Sequence, residues 1–297
     1  MHKRRWLIVF LALFLMSLPL TAAARETEAV VSTDWLQKNL TNPKLVVVDI
    51  RKVEDYKTGH IPGAVNVFYG AWAVKRGDLL NELPPWDDLM DMIGNAGIDK
   101  SSWVVVVGKM EKVADQFDMT RVAWTLKSAG VENVSVLNGG EDKWQKENRT
   151  LSQEAAKPKA KPYNASAAGN RFVDKAYVVK SMGKATLIDA RAPAFYSGKE
   201  KLPFVARPGH VKGSLNLPAS MIFTPEGLFK GKAELAPLAE KVTGSDLNRE
   251  VIAICDSGRV ATSWAFVMSD ILGYKKVKVY DGSMQEWSMD SQMPIEP

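Results

Sequence analysis

The feature that most restricts this chain is that it repeats itself. Asp49-Ile50-Arg51 precedes Gly59-His60-Ile61-Pro62-Gly63-Ala64-Val65-Asn66-Val67, and Asp189-Ala190-Arg191 precedes Gly209-His210-Val211-Lys212-Gly213-Ser214-Leu215-Asn216-Leu217, with ten extra residues inserted in the second copy. A later pair keeps the same order: Leu137-Asn138-Gly139-Gly140 with Trp144, against Tyr280-Asp281-Gly282-Ser283 with Trp287. An ordered duplication limits the fold to two like units. The 297 residues exceed the roughly 100 to 200 of a usual domain, so each copy is long enough to bury a core.

Within each copy, short β-branched runs alternate with helical stretches. Residues 45–48, 103–107 and 134–137 are matched by 186–188, 251–254 and 277–280. Continuous apolar runs without polar alternation suit buried parallel strands covered by helices. The expected fold is therefore α/β, with two domains that are each a mostly parallel β-sheet flanked by helices. Between them Glu154-Ala155-Ala156-Lys157-Pro158-Lys159-Ala160-Lys161-Pro162 lacks apolar periodicity and reads as linker. The expected boundaries are 28–152 and 169–297, with a linker at 153–168.

The start of the chain has a different character. Met1-His2-Lys3-Arg4-Arg5 is basic, Trp6 to Leu20 is apolar, and Ala22-Ala23-Ala24 supplies small residues for cleavage. An apolar stretch of about 15 residues is short of the roughly 20 that a spanning helix needs, so residues 1–24 read as a cleaved signal peptide. The expected location is periplasmic or secreted, with no membrane association after cleavage. Loss of Lys3, Arg4 and Arg5 lowers the formal charge from +5 to +2, which leaves no electrostatic case for a nucleic-acid partner.

The only cysteine, Cys255, follows Val251-Ile252-Ala253-Ile254 and opens Cys255-Asp256-Ser257-Gly258-Arg259 before a helical pattern begins. A strand, tight loop and helix start aim successive N–H groups and the helix dipole at one point, which stabilises a thiolate. A lone thiol forms no internal disulfide and risks oxidation in an oxidising compartment. Its place beside a helix start makes it a candidate nucleophile; the alternative is a buried structural cysteine at a strand end. Gly258 suits a cupped loop that needs positive φ.

Together, the paired Asp-x-Arg, the Gly-His-(Ile/Val)-x-Gly-(Ala/Ser)-x-Asn, the strand ending in Cys-x-x-Gly and the Asp-Gly-Ser-x-x-x-Trp resemble a tandem rhodanese, a two-domain sulfurtransferase of the thiosulfate and 3-mercaptopyruvate family in its secreted bacterial form. The resemblance implies that Cys255 takes a sulfane sulfur from a small anionic donor such as thiosulfate or 3-mercaptopyruvate. It becomes a persulfide and passes the sulfur to a thiophilic acceptor such as cyanide or a thiol, without a cofactor. The loop amides of Asp256, Ser257, Gly258, Arg259 and Val260 would stabilise the sulfur anion. Arg191 and Arg259 are the candidate donor-binding cations.

Several residues complicate this assignment. Asp256 and Ser257 follow the cysteine where thiosulfate-using relatives have basic residues and mercaptopyruvate-using ones have Gly followed by Ser or Thr. An acid beside the thiol repels an anionic donor and raises the thiol pKa unless it is paired. Phe195 stands where several relatives carry a second arginine, and Arg207 in the inserted stretch is a candidate replacement. In the first copy Gly108-Lys109-Met110-Glu111 replaces the cysteine loop, so that domain is expected to be an inactive scaffold. His60 and His210 occupy equivalent places in both copies, one without a nucleophile, which points to structural roles.

Other chemistries fit poorly. One cysteine and two distant histidines build no standard zinc site, and no GxxxxGK[ST] or helix-opening GxGxxG run is present. A cysteine phosphatase needs an arginine six residues after the cysteine, where this chain has Ala261. The competing non-enzyme assignment is a sulfur-carrier or protein-binding module on the same scaffold. The sequence sets no oligomeric state.

Overall fold

Two five-stranded parallel sheets of identical strand order form the body of the protein. The computed structural model describes residues 25–112, 115–167 and 170–297; the expected signal peptide at 1–24 lies outside the described residues. The first domain runs β1 (Val30–Val31), α1 (Thr33–Asn39), β2 (Leu45–Asp49), α2 (Val53–Thr58), β3 (Val65–Asn66), β4 (Val74–Arg76), β5 (Leu79–Glu82), α3 (Trp86–Asn95), β6 (Trp103–Val107), α4 (Asp118–Ser128), β7 (Val134–Leu137) and α5 (Gly140–Lys146). The second runs β8 (Phe172–Val173), α6 (Lys175–Ser181), β9 (Thr186–Asp189), α7 (Pro193–Tyr196), β10 (His210–Val211), β11 (Leu215–Asn216), α8 (Lys232–Thr243), β12 (Glu250–Ile254), α9 (Ala261–Phe266), β13 (Lys276–Tyr280), α10 (Ser283–Met289) and β14 (Ile295–Glu296).

The sheet orders are β1-β7-β6-β2-β3 and β8-β13-β12-β9-β11. Each strand of the first sheet thus has a counterpart in the second, and the registers agree: Asp49 pairs with Val107 as Asp189 pairs with Ile254. The apolar runs read from the sequence become β2, β6, β7, β9, β12 and β13, buried by helices on both faces. A hairpin of β4 and β5 projects from the first domain.

The repeated motifs brace the loops at the strand ends. Arg51 Nε and Nη2 donate to Asp49, and Nη2 also to the Gly59 carbonyl at 2.9 Å. Arg191 does the same with Asp189 and with the Gly209 carbonyl at 2.8 Å. His60 stacks on Tyr56 and His210 on Tyr196, each with ring centroids 3.7 Å apart. In both copies the ring Nδ1 meets the carbonyl of that same tyrosine.

The outer face of each sheet has its own apolar cluster, but the inner faces merge into one core that crosses the domain boundary. At the crossing the Thr120 hydroxyl of α4 lies 3.0 Å from that of Ser263 on α9, so small polar residues let the helices approach. The linker is fastened along the first domain: Lys161 N–H donates to Gly94 O, Trp86 Nε1 to Ala165 O, and the Tyr163 hydroxyl to Ala129 O.

Buried electrostatics also cross the boundary. Arg121 of α4, fully buried, donates from Nη1 to the Gly258 carbonyl at 3.0 Å and to Asp281 Oδ1 at 2.6 Å. Burial, with Asp281 nearby, pushes the Glu82 carboxyl of β5 up to about 7. Folded Glu82 therefore keeps a proton that the unfolded chain releases from about pH 4.3 upward, and stability falls as pH rises from there to about 7. Glu82→Gln is expected to stabilise the protein at pH 8 by about 1 kcal/mol after solvent screening, with the gain shrinking towards pH 5. Urea unfolding at both pH values checks this, and an equal gain at both would count against it.

Candidate active site

Strand β12 is buried from Val251 to Ile254 and delivers Cys255 to the carboxyl end of the second sheet, with the thiol itself only 1% exposed. The loop from Asp256 to Val260 then turns into α9. Gly258 has φ +69°, and a Cβ there would lie 2.4 Å from the Asp281 carbonyl oxygen. Only glycine fits that turn.

The sulfur receives backbone N–H donors from Ser257 and from Ala261, the first residue of α9. The Gly258 amide is turned away and donates to Ser283 Oγ at 3.1 Å. Ser283 Oγ also accepts from the Cys255 amide at 3.2 Å, donates to the Tyr280 carbonyl at 2.7 Å, and sits 3.9 Å from the sulfur. The amides of Met284 and Gln285 in the first turn of α10 hold the carbonyls of Cys255 and Asp256. The loop is thereby fixed from two helix starts.

Burial pushes the Cys255 thiol above its ordinary value; the Asp256 charge adds to this, and the two amides and Ser283 oppose it. Asp256 is raised to about 6 by burial, against the pull of Arg191. Asp256 turns towards that arginine, with Oδ1 3.4 Å from Arg191 Nη1. Arg191 is itself buried, with its fork on Asp189, and it neutralises the acid beside the thiol. The structure thus places Arg191 next to the loop as a brace whose Nη1 faces Asp256.

Arg259 leaves the loop in the other direction. Its Nε meets Asp118 Oδ1 of α4 at 2.5 Å, and its guanidinium lies over the Tyr69 ring, 5.4 Å from the centroid. The Ser257 hydroxyl accepts from Asn81 Nδ2 at 2.8 Å. Val260 forms the joint between loop and α9. Arg207 donates to the carbonyls of Ser288, Asp290 and Met293, which places it as a brace of the C-terminal segment. Lys109 pairs with Asp55 at 3.3 Å in a cavity of about 520 Å³ at the strand ends of the first domain, where Arg51, Tyr69 and Asp118 are also found. Among the described residues, no group of three or more His, Cys, Asp or Glu is placed to hold a metal ion.

Sequence reasoning passed over Ser283, Arg121, Asn81 and Tyr69. One of them left a trace. Ser283, at φ +48°, is the counterpart of Gly140 at φ +58°. A serine kept in a backbone region that suits glycine, and only in the copy with the cysteine, marks a side chain with work there.

Comparison with known proteins settles the family. The sequence model of the rhodanese-like domain matches residues 32–147 and 174–290. The chain is a tandem rhodanese. It is 33% identical over 285 residues to the thiosulfate sulfurtransferase of Corynebacterium glutamicum, covering 91% of this chain and 90% of that one. It is 31% identical over 284 residues to the sulfur carrier protein TtuD of Thermus thermophilus, covering 90% and 96%. The solved structure of the 3-mercaptopyruvate sulfotransferase SseA from Escherichia coli superposes with a TM-score of 0.74 at 27% identity, covering 86% of this chain and 99% of that one.

The electrostatics of this rhodanese loop are testable through thiol alkylation. Asp256→Asn removes a charge that raises the Cys255 thiol and should move the pH midpoint of iodoacetamide labelling down, whereas Ser283→Ala removes an opposing hydrogen bond and should move it up. Midpoints that stay where they are in both variants would contradict this account of the loop.

Proposed function

We propose that this protein is a sulfurtransferase that carries a sulfane sulfur on Cys255 between a small anionic donor and a thiophilic acceptor, in the periplasm or outside the cell after removal of residues 1–24. The observation that carries the proposal is the lone thiol at the end of the central strand, whose sulfur meets the N–H groups of Ser257 and Ala261. These hydrogen bonds to the charged form offset part of the burial that raises the thiol, and they stabilise the sulfur anion without reorganisation because the loop is held by Ser283 and α10.

In the first half-reaction the Cys255 thiolate attacks the outer sulfur of the donor, an S–S bond forms, and the remainder of the donor leaves with the bonding pair. In the second, the acceptor attacks the outer sulfur of the persulfide and Cys255 departs as thiolate into the same two N–H donors. Amides that stabilise the nucleophile therefore also stabilise the leaving group. The first domain closes the site by bringing Asp118, Arg121, Asn81 and Tyr69 against the loop.

A carrier role is favoured by one observation: a thiol 1% exposed is shielded from solvent, as suits a persulfide that waits for its acceptor. The relative named as a sulfur carrier points the same way. The experiment that separates the two is steady-state sulfur transfer to cyanide with thiosulfate and with 3-mercaptopyruvate. Turnover is expected, with a loss of at least about a thousandfold in Cys255→Ser. Product limited to one equivalent per protein would favour the carrier, and undiminished turnover in the variant would exclude Cys255 as nucleophile.

A further inference from the structure

The Cys255 thiol is buried, so a reactant reaches it only when something over the cysteine loop moves. The β4–β5 hairpin is the segment that the first domain lays on that loop. Among the described residues its strands pair with each other alone, Val74 with Glu82 and Arg76 with Leu79, around the turn Gly77-Asp78. Trp72 and Pro84 are buried on either side of it, so the free body is residues 74–83. Polar tethers tie this body to the second domain: Leu80 N–H donates to Gln285 Oε1 at 3.0 Å, Gln285 Nε2 to the Asp78 carbonyl at 2.6 Å, Asn81 Nδ2 to Ser257 Oγ at 2.8 Å and Leu83 N–H to Asp281 Oδ2 at 3.0 Å. The Tyr69 hydroxyl holds Asn81 Oδ1 from the first domain at 3.0 Å.

Apolar packing adds little to these tethers. No residue from 74 to 83 is fully buried, and a cavity of about 550 Å³ opens between the hairpin and the second domain, with Leu79, Glu82 and Leu83 on one side and Phe172, Asp281 and Glu286 on the other. A two-stranded hairpin held by polar tethers over a void opens at far lower cost than a core strand.

Glu82 ends β5 on the wall of that cavity, and its buried Oε1 has no hydrogen-bond partner among the described residues. Asp281 and Glu286 face it with like charge and Arg121 and Arg76 with opposite charge, while Asp174 lines the same cavity. Glu286 accepts from the Tyr280 hydroxyl at 2.8 Å, and Asp281 accepts from Arg121. Burial and the two acids outweigh the arginines and push the Glu82 carboxyl up to about 7. A neutral carboxyl tolerates an unpartnered buried oxygen better than a carboxylate does. A lifted hairpin returns Glu82 to water and to the ordinary glutamate range near ~4.3. Between those two values the closed hairpin holds a proton that the open one has lost, so rising pH favours opening.

We propose that the β4–β5 hairpin is the gate through which sulfur donor and acceptor reach Cys255, and that protonated Glu82 holds it shut. This deepens the sulfurtransferase reading and rests on it for what passes through. Lifting residues 74–83 uncovers Asp256 and Ser257 beside the thiol, while Arg121 and the merged core keep the domains docked. Between pH 6 and pH 8 the ratio of open to closed hairpin rises about tenfold, as one proton held near 7 dictates.

The test is hydrogen exchange of the full chain at pH 6 and pH 8, corrected for the intrinsic pH dependence of exchange and read on peptides covering 74–83 and 250–254. Iodoacetamide labelling of Cys255 is followed in parallel. The hairpin should exchange at least about a hundredfold faster than β12. Its protection should fall about tenfold from pH 6 to pH 8 in wild type and stay level in Glu82→Gln. At pH 8 Glu82→Gln should slow Cys255 labelling about tenfold, although loss of a negative charge by itself favours thiolate and would speed it. Gln285→Ala removes two tethers, keeps the amide that holds the Asp256 carbonyl, and should speed labelling about tenfold at both pH values. A hairpin that exchanges no faster than β12, a pH slope that persists in Glu82→Gln, or labelling unchanged in both variants would overturn the proposal. These readouts need no sulfur donor, so a wild type that gates in this way and transfers no sulfur would support the gate and remove the sulfurtransferase reading alone.

Discussion

The structure depends on a guanidinium that crosses from one domain to the other. Arg121 leaves α4 of the first domain and ends, fully buried, on the Gly258 carbonyl of the cysteine loop and on Asp281 before α10. Its Nε and Nη2 have no hydrogen-bond partner among the described residues, and its guanidinium lies 4.4 Å from the Phe172 ring centroid. A charge in so apolar a place is tolerable only with its carboxylate in place, so the two domains must be docked for the loop to hold its shape. The merged inner core has the same consequence: the first domain lacks a nucleophile but completes the active loop of the second.

The two copies have diverged at a few matched positions on a common frame. Gly108 ends β6 where Cys255 ends β12, Gly140 stands where Ser283 stands, and Asn138 stands where Asp281 stands. Each change in the second copy adds a group that acts on the loop: a sulfur, a hydroxyl that ties two loop amides, and a carboxylate for Arg121. The Asp-Arg forks and the stacked histidines are unchanged between copies, as expected of parts that serve the fold in both.

The long apolar strands were legible because a buried parallel sheet demands unbroken Val and Ile, and Cys255 was legible because it is alone. The edge strands β1, β3, β8 and β11 have two residues each, too short to leave a pattern. The β4–β5 hairpin was hidden by Lys75, Arg76, Asp78 and Glu82, since its residues answer to the partner domain and not to a core. Arg191 and Arg259 are legible in the sequence as candidate donor-binding cations, but sequence shows charge without its neighbours. In the fold each faces a carboxylate, Asp256 for one and Asp118 for the other. Asn81 and Tyr69 lie 176 residues and more from Ser257, and only domain docking brings them together.

The central claim is that Cys255 is loaded with sulfur and unloaded again at the same atom. Intact mass of the protein after one equivalent of donor, followed by cyanide and peptide mapping, tests it most directly. The account predicts a gain of about 32 Da, one sulfur atom, on the peptide that holds Cys255, and its disappearance with cyanide. A mass that never changes, or a gain that survives in Cys255→Ser, would contradict it.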